Sequence, residues 1–184
     1  LNERINLNQK IKNKKMRTFD KYLFQALDNY PFNLVETIES LEYALSANDK
    51  NTMAICLMGR IYAEQLKDYE TAKEYFSDAI SINIHALEVY PHYIETLILN
   101  EDFEDAQRLI DFALTIKGIS KTEILMKKVW LLETQKEFKT AKKVLKEIKL
   151  GLTTSHFDAY LEETQSRING KLKPKKKKAE TKNP

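Results

Sequence analysis

The chain has 184 residues, 42% hydrophobic and 31% charged, with four Gly, four Pro and one Cys. That length and apolar content suit one domain with a real core. No apolar run approaches the ~20 residues a bilayer span needs, and one cysteine excludes both an internal disulfide and a thiolate metal cluster.

The net charge of +3 conceals an asymmetry. Residues 1–17 carry six basic residues and one acidic, residues 171–184 carry seven and one, and the body between them carries 17 and 25. An acidic body thus lies between two basic ends. The N-terminal stretch has no apolar segment of the signal-peptide kind. Cys56 sits among Ala54, Ile55, Leu57 and Met58, which predicts a small buried thiol rather than a reactive one. Together these features suggest a reducing, cytoplasmic setting.

The elements are predicted as follows in chain order. Residues 1–17 form a basic extension expected to lack order. Helices near 19–28 and 33–47 form an N-terminal hairpin (18–47), the second opened by the capping box Asn33–Glu36. Helices near 50–66 and 69–82 come next, then 86–99 and 102–117, then 121–135 and 138–149. Ser120–Glu123 is a second capping box. A helix near 155–169, with Phe157, Tyr160, Leu161 and Ile168 on one side, should cover the end of the stack. Residues 171–184 form a Lys-rich tail expected to lack order. Gly118, Gly151 and Gly170 each follow a helical pattern, where a left-handed cap is wanted. Gly59 lies inside one, which a close helix crossing would explain.

Three of these pairs are copies. Asp68, Asp102 and Glu137 align, as do Tyr69, Phe103 and Phe138. So do Ala72, Ala106 and Ala141, then Phe76, Ile110 and Leu145, then Ala79, Ala113 and Ile148, at steps of 34 and 35 residues. Upstream of each lies a second helical stripe: Ile55, Met58, Gly59 and Tyr62; Tyr90, Tyr93, Ile94 and Leu97; Leu125, Lys128, Val129 and Leu132. Repeats are thus expected at about 50–84, 85–118 and 119–150. Thr37, Leu41 and Ala44 lie 35 before Ala72, Phe76 and Ala79, a fainter fourth copy. The first unit has one extra residue between its helices, since Tyr62 to Ala72 is ten against nine in the other two. Two helices per ~34 residues with a large–small packing code describe a helical-hairpin solenoid, in which each unit needs its neighbours to bury its faces.

Residues 50–150 resemble the tetratricopeptide repeat family, most closely where "MGRIY" precedes Ala72, Phe76 and Ala79. The second unit departs in having Ile94 for the small residue and Pro91 inside its first helix, the third in having Lys128 at an apolar position. The resemblance implies an all-α, right-handed superhelical stack of about three helix hairpins with flanking helices at both ends. It implies that the first helix of each unit lines a concave groove that receives a protein or peptide. By position it selects Arg60 and Glu64, Glu95 and Leu99, and Trp130 and Thr134. The clamp with which some members hold a terminal carboxylate needs Lys, Asn and Arg in the groove, and only Arg60 and Lys127 are of that kind here.

Glu64, Glu88 and Glu95 would favour a basic or extended peptide, or simply solubilise the surface. Trp130 is either a groove anchor or packing under the C-terminal helix, and Tyr90 and Tyr93 either face the groove or fill the core. His85, His92 and His156 have no partners at metal-site spacing, and no phosphate loop, nucleophile elbow or zinc-protease motif occurs. A non-catalytic scaffold without cofactor or metal is therefore expected. The alternative is a factor that contacts nucleic acid or an anionic membrane surface through its basic ends. Self-association is left open.

Overall fold

The computed structural model describes residues 21–152 and 157–172. The extension 1–17, nearly all of the Lys-rich tail and His156 fall outside them. All regular structure among the described residues is helical, in two compact units that divide between Ile119 and Ser120.

The first unit contains α1 (21–29), α2 (Leu34–Ala47), α3 (Thr52–Arg60), α4 (Tyr69–Ile82), α5 (Val89–Leu99) and α6 (Phe103–Ala113). The copied positions form its interior: Ala72, Phe76, Ala79, Ala106, Ile110 and Ala113 are all fully buried. The fainter copy is real too, with Thr37, Leu41 and Ala44 fully buried on α2. Leu41 and Ala44 join Leu23 and Ala26 of α1 against Ala54, Leu57, Met58 and Ile61 of the α3 segment. A neighbouring cluster centres on Phe76 with Ile55, Ala72, Ala79 and Val89. Tyr90 is a core residue whose hydroxyl donates to the Ile84 carbonyl at 2.8 Å. Tyr93 packs its ring against Phe76 at 5.7 Å between centroids.

The second unit contains α7 (Lys121–Thr134), α8 (Phe138–Gly151) and α9 (Asp158–Leu172). Its core joins Val129 and Leu132 of α7, Ala141, Leu145 and Ile148 of α8, and Leu161 and Ile168 of α9. Helix α9 thus packs on the last hairpin, and Phe157 packs against that core. Tyr160 does not join it, being 43% exposed.

The turn inside each hairpin is a copy as well, and its chemistry differs from expectation. Lys67, Glu101 and Lys136 stand at φ 57°, 63° and 63°, a left-handed conformation that costs a residue with a Cβ roughly 1 kcal/mol. In the second and third hairpins the closure that offsets this is a Schellman motif. Asp102 N–H donates to Leu97 O at 2.9 Å and Glu101 N–H to Ile98 O at 3.2 Å; Glu137 N–H donates to Leu132 O at 2.8 Å and Lys136 N–H to Glu133 O at 3.0 Å. Asp68, Asp102 and Glu137 then take the N-cap position of the next helix, where the Asp68 carboxylate accepts from Thr71 N–H. Of the three glycines expected at caps, only Gly118 has positive φ, at 93°. Gly151 is the last residue of α8 and Gly170 lies inside α9.

The extra residue of the first repeat has a definite place. The expected helix 50–66 runs as α helix to Arg60 and then as a π turn over Ile61–Leu66. Its wider loop lets Asp68 N–H reach Tyr62 O at 3.0 Å, one residue further back than in the other two turns. The insertion is absorbed inside the helix, and the turn keeps its left-handed residue. Pro91 is accommodated because α5 begins at Val89 rather than 86: the proline falls in the first turn, where no intrahelical N–H bond is lost. Helix α6 ends at Ala113 rather than 117, where Thr115 N–H and Ile116 N–H fold back to Phe112 O and Ala113 O.

Candidate functional site

The candidate residues of the first unit stand on the α3 segment and α5. One helical turn places Arg60 beside Glu64: the guanidinium donates from Nε to Glu64 Oε1 at 2.9 Å and from a terminal nitrogen to Oε2 at 3.4 Å. Two residues not anticipated from the sequence complete the cluster. The Tyr30 hydroxyl donates to Glu64 Oε2, and its ring lies 4.8 Å from the Arg60 guanidinium. His92 Nδ1 stands 3.6 Å from Glu64 Oε1.

The electrostatics follow from these contacts. Burial alone would raise the Glu64 carboxyl, but the hydrogen bonds from Arg60 and Tyr30 outweigh it and hold the group below its ordinary value. Burial, and then donation to Glu64, pushes the Tyr30 phenol up. Glu64 is therefore an anion already compensated by its neighbours.

Beside this cluster a narrow notch of about 80 Å³ opens between the π turn and α5. Glu64, Glu95 and Leu99 line it, with Ala63, Lys67, Phe76, His92 and Thr96. Three expected site residues thus share one concavity. Its volume admits the end of a single side chain rather than a length of peptide. Glu88 is not among its lining residues; it is exposed just before α5. His85 lies ahead of α5, in the turn, and so does not share a helix with His92.

In the second unit, Lys127, Trp130 and Thr134 follow one another along α7. Trp130 is half-buried, with the Lys127 ammonium 5.7 Å from its ring, and the exposed Thr134 hydroxyl donates back to the Trp130 carbonyl at 3.1 Å. Trp130 is not among the side chains packed in or against the cluster that α9 covers. The buried charged group among the described residues of this unit is instead Glu133, whose side chain is 7% exposed. It accepts both arms of Arg167, at 3.1 and 2.8 Å, and Lys171 at 3.2 Å. This pins α9 to α7.

The missed partners were separated by one repeat length, Tyr30 from Glu64 and Glu133 from Arg167, each by 34 positions. Residues one period apart occupy like places in adjacent hairpins, so that spacing could have marked them.

No helix among the described residues is long and apolar enough to cross a membrane. No curated protein matches the chain. Residues 54–83 match the family model of the tetratricopeptide repeat, over the hairpin of α3 and α4 that carries the π turn and the buried Phe76. Residues 54–83 thus form a tetratricopeptide repeat, and its packing code and left-handed turn recur on the hairpins that follow.

Proposed function

We propose that the chain is a non-catalytic interaction module that holds a protein partner on the exposed face of the α3 segment and α5, with the notch at Glu95 as the anchor point. The observation that carries this reading is the convergence of Glu64, Glu95 and Leu99 on one concavity. Carboxylates beside the exposed Leu99 suit the stem and head of a lysine or arginine, whose methylenes cover apolar surface while the cation meets the acid. The partner is thus an extended segment presenting a basic residue, with flanking apolar contact to Leu99, which is 41% exposed. Lys127, Trp130 and Thr134 offer a second anchor on α7, where the indole would receive an apolar side chain.

The test is selection of short peptides from a displayed library against the full chain, followed by mapping of the bound peptide through amide shift changes. The expected peptides carry a basic residue, perturb Ala63–Glu64 and His92–Leu99, and lose affinity on Glu95→Lys. Peptides that map elsewhere and bind Glu95→Lys unchanged would reject the reading. Binding that needs residues 171–184 and collapses with added salt would put the basic ends in its place.

A further inference from the structure

Helix α8 carries a second surface that the groove reading does not use. Five lysines, Lys139, Lys142, Lys143, Lys146 and Lys149, lie along it. At 100° per residue they fall within an arc of roughly 120°, opposite the stripe of Ala141, Val144, Leu145 and Ile148 that enters the core. Among the described residues none of the five has an ion pair or hydrogen bond to another side chain. Within the same arc, toward its Lys143 edge, is Leu150, 79% exposed. A concavity of about 500 Å³ opens beside this ridge, lined by the lysine side chains and by Gln165 and Leu172 of α9. Its walls are largely lysine methylenes and a leucine, with the ammonium groups at its edge.

We propose that the α8 ridge and the adjoining α8–α9 hollow form a docking surface for an acidic, amphipathic protein helix. Charge complementarity selects the sign, since five uncompensated cations on one face cost solvation nothing but repel one another until an anionic partner arrives. The spacing selects the shape: 139, 142, 146 and 149 advance by three and four, the rhythm in which carboxylates recur on the face of another helix. The apolar component selects protein over nucleic acid. A phosphate backbone has nothing to cover Leu150, and the ridge holds neither an arginine for bidentate phosphate contact nor an aromatic ring for base stacking. This surface belongs to α8 of the second unit and shares no residue with the first proposal, whose residues stand on α3 and α5 of the first unit, so either proposal can fail without the other.

The experiment uses the full chain and a fluorescent 18-residue synthetic helix with Glu at three- and four-residue spacing beside a leucine stripe. Anisotropy is read at several salt concentrations. The probes for comparison are the same peptide with Ser replacing its leucines, and a duplex RNA of about 16 base pairs. Lys142→Glu/Lys146→Glu, both exposed positions, should weaken the amphipathic peptide about tenfold or more. Leu150→Ser should weaken it severalfold, the Ser-substituted peptide should bind as weakly, and Glu95→Lys should leave it unchanged. Circular dichroism checks that each variant keeps its helices. Equal affinity for wild type and Lys142→Glu/Lys146→Glu would overturn the proposal, by assigning any binding to the basic ends. Tighter binding of the RNA than of the peptide, lost in the same variant, would overturn it in favour of a phosphate-binding face.

Discussion

Gly59 and Gly170 both lie inside helices, and replacing each with alanine should have effects of opposite sign. In an open helix, Gly→Ala gains up to about 1 kcal/mol through reduced backbone entropy in the unfolded chain. Gly170 has nothing within 4 Å of the position a Cβ would take. Near the C-terminal end of α9 the gain should be about 0.5 kcal/mol. At Gly59 the same methyl would stand 2.8, 3.0 and 3.0 Å from three carbons of the Phe76 ring. Ordinary carbon contact is about 3.5 Å, so the ring would have to retreat by roughly 0.7 Å. It has nowhere to go: Phe76 is fully buried and Tyr93 lies tilted against it. Overpacking of this kind costs about 1–3 kcal/mol, which outweighs the helix gain and leaves a net loss of about 1 kcal/mol. Urea unfolding monitored by circular dichroism, with amide exchange in α3 and α4 reporting the first unit, measures both variants. In the Gly59→Ala background, Phe76→Leu should cost less than it does in wild type, by about 0.5 kcal/mol or more, because the two sites touch. If Gly59→Ala matched or exceeded wild type, the close crossing of α3 and α4 would be refuted.

Other outcomes follow from the same packing. Ala106 is fully buried at the centre of the aligned positions, so Ala106→Leu should cost about 1–3 kcal/mol; unchanged stability would put the repeat alignment wrong at its centre. Glu133→Ala should free α9 and cost about 2 kcal/mol, less than a fully enclosed pair because Arg167 is 42% exposed; exchange protection across 158–172 reads this directly. Burial alone would raise the Glu133 carboxyl, yet the bonds from Arg167 and Lys171 hold it below its ordinary value. Its contribution is therefore complete above the ordinary glutamate value of about 4.3 and is lost as pH falls through the lower folded value; Glu133→Gln should flatten that acid dependence of α9 protection. Burial, with Glu88 nearby, pushes the Cys56 thiol up to about 12, so a thiol reagent at pH 8 should react with native protein far more slowly than with urea-unfolded protein.

The sequence made the packing legible because the code is local and repeated. Alanine at 72, 106 and 141 and a large residue four on are visible in one line of text, and all six side chains are buried. The turns were less legible. A left-handed residue is usually read from glycine, but here lysine or glutamate fills that place because backbone bonds from the turn to the preceding helix fix the conformation whatever the side chain. The extra residue before Ala72 was visible as a spacing, but spacing alone does not say whether a turn or a helix absorbs it. The candidate site was half legible. Arg60 and Glu64 are one turn apart and had to meet, whereas Tyr30 and His92 reach Glu64 from other elements. The lysine ridge on α8 escaped notice because the charge balance of residues 101–150, 11 basic against 9 acidic, averages a one-sided face into near neutrality.

The most direct test of the interaction reading is a charge exchange at the notch. A peptide selected on the full chain is measured against wild type and Glu95→Lys, and the same peptide with its basic residue changed to glutamate is measured against both. The account predicts that Glu95→Lys weakens the original peptide and that the acidic peptide recovers affinity for Glu95→Lys alone. If Glu95→Lys left the original peptide unaffected, or if the exchanged pair showed no recovery, the α5 notch would not be the anchor of the partner.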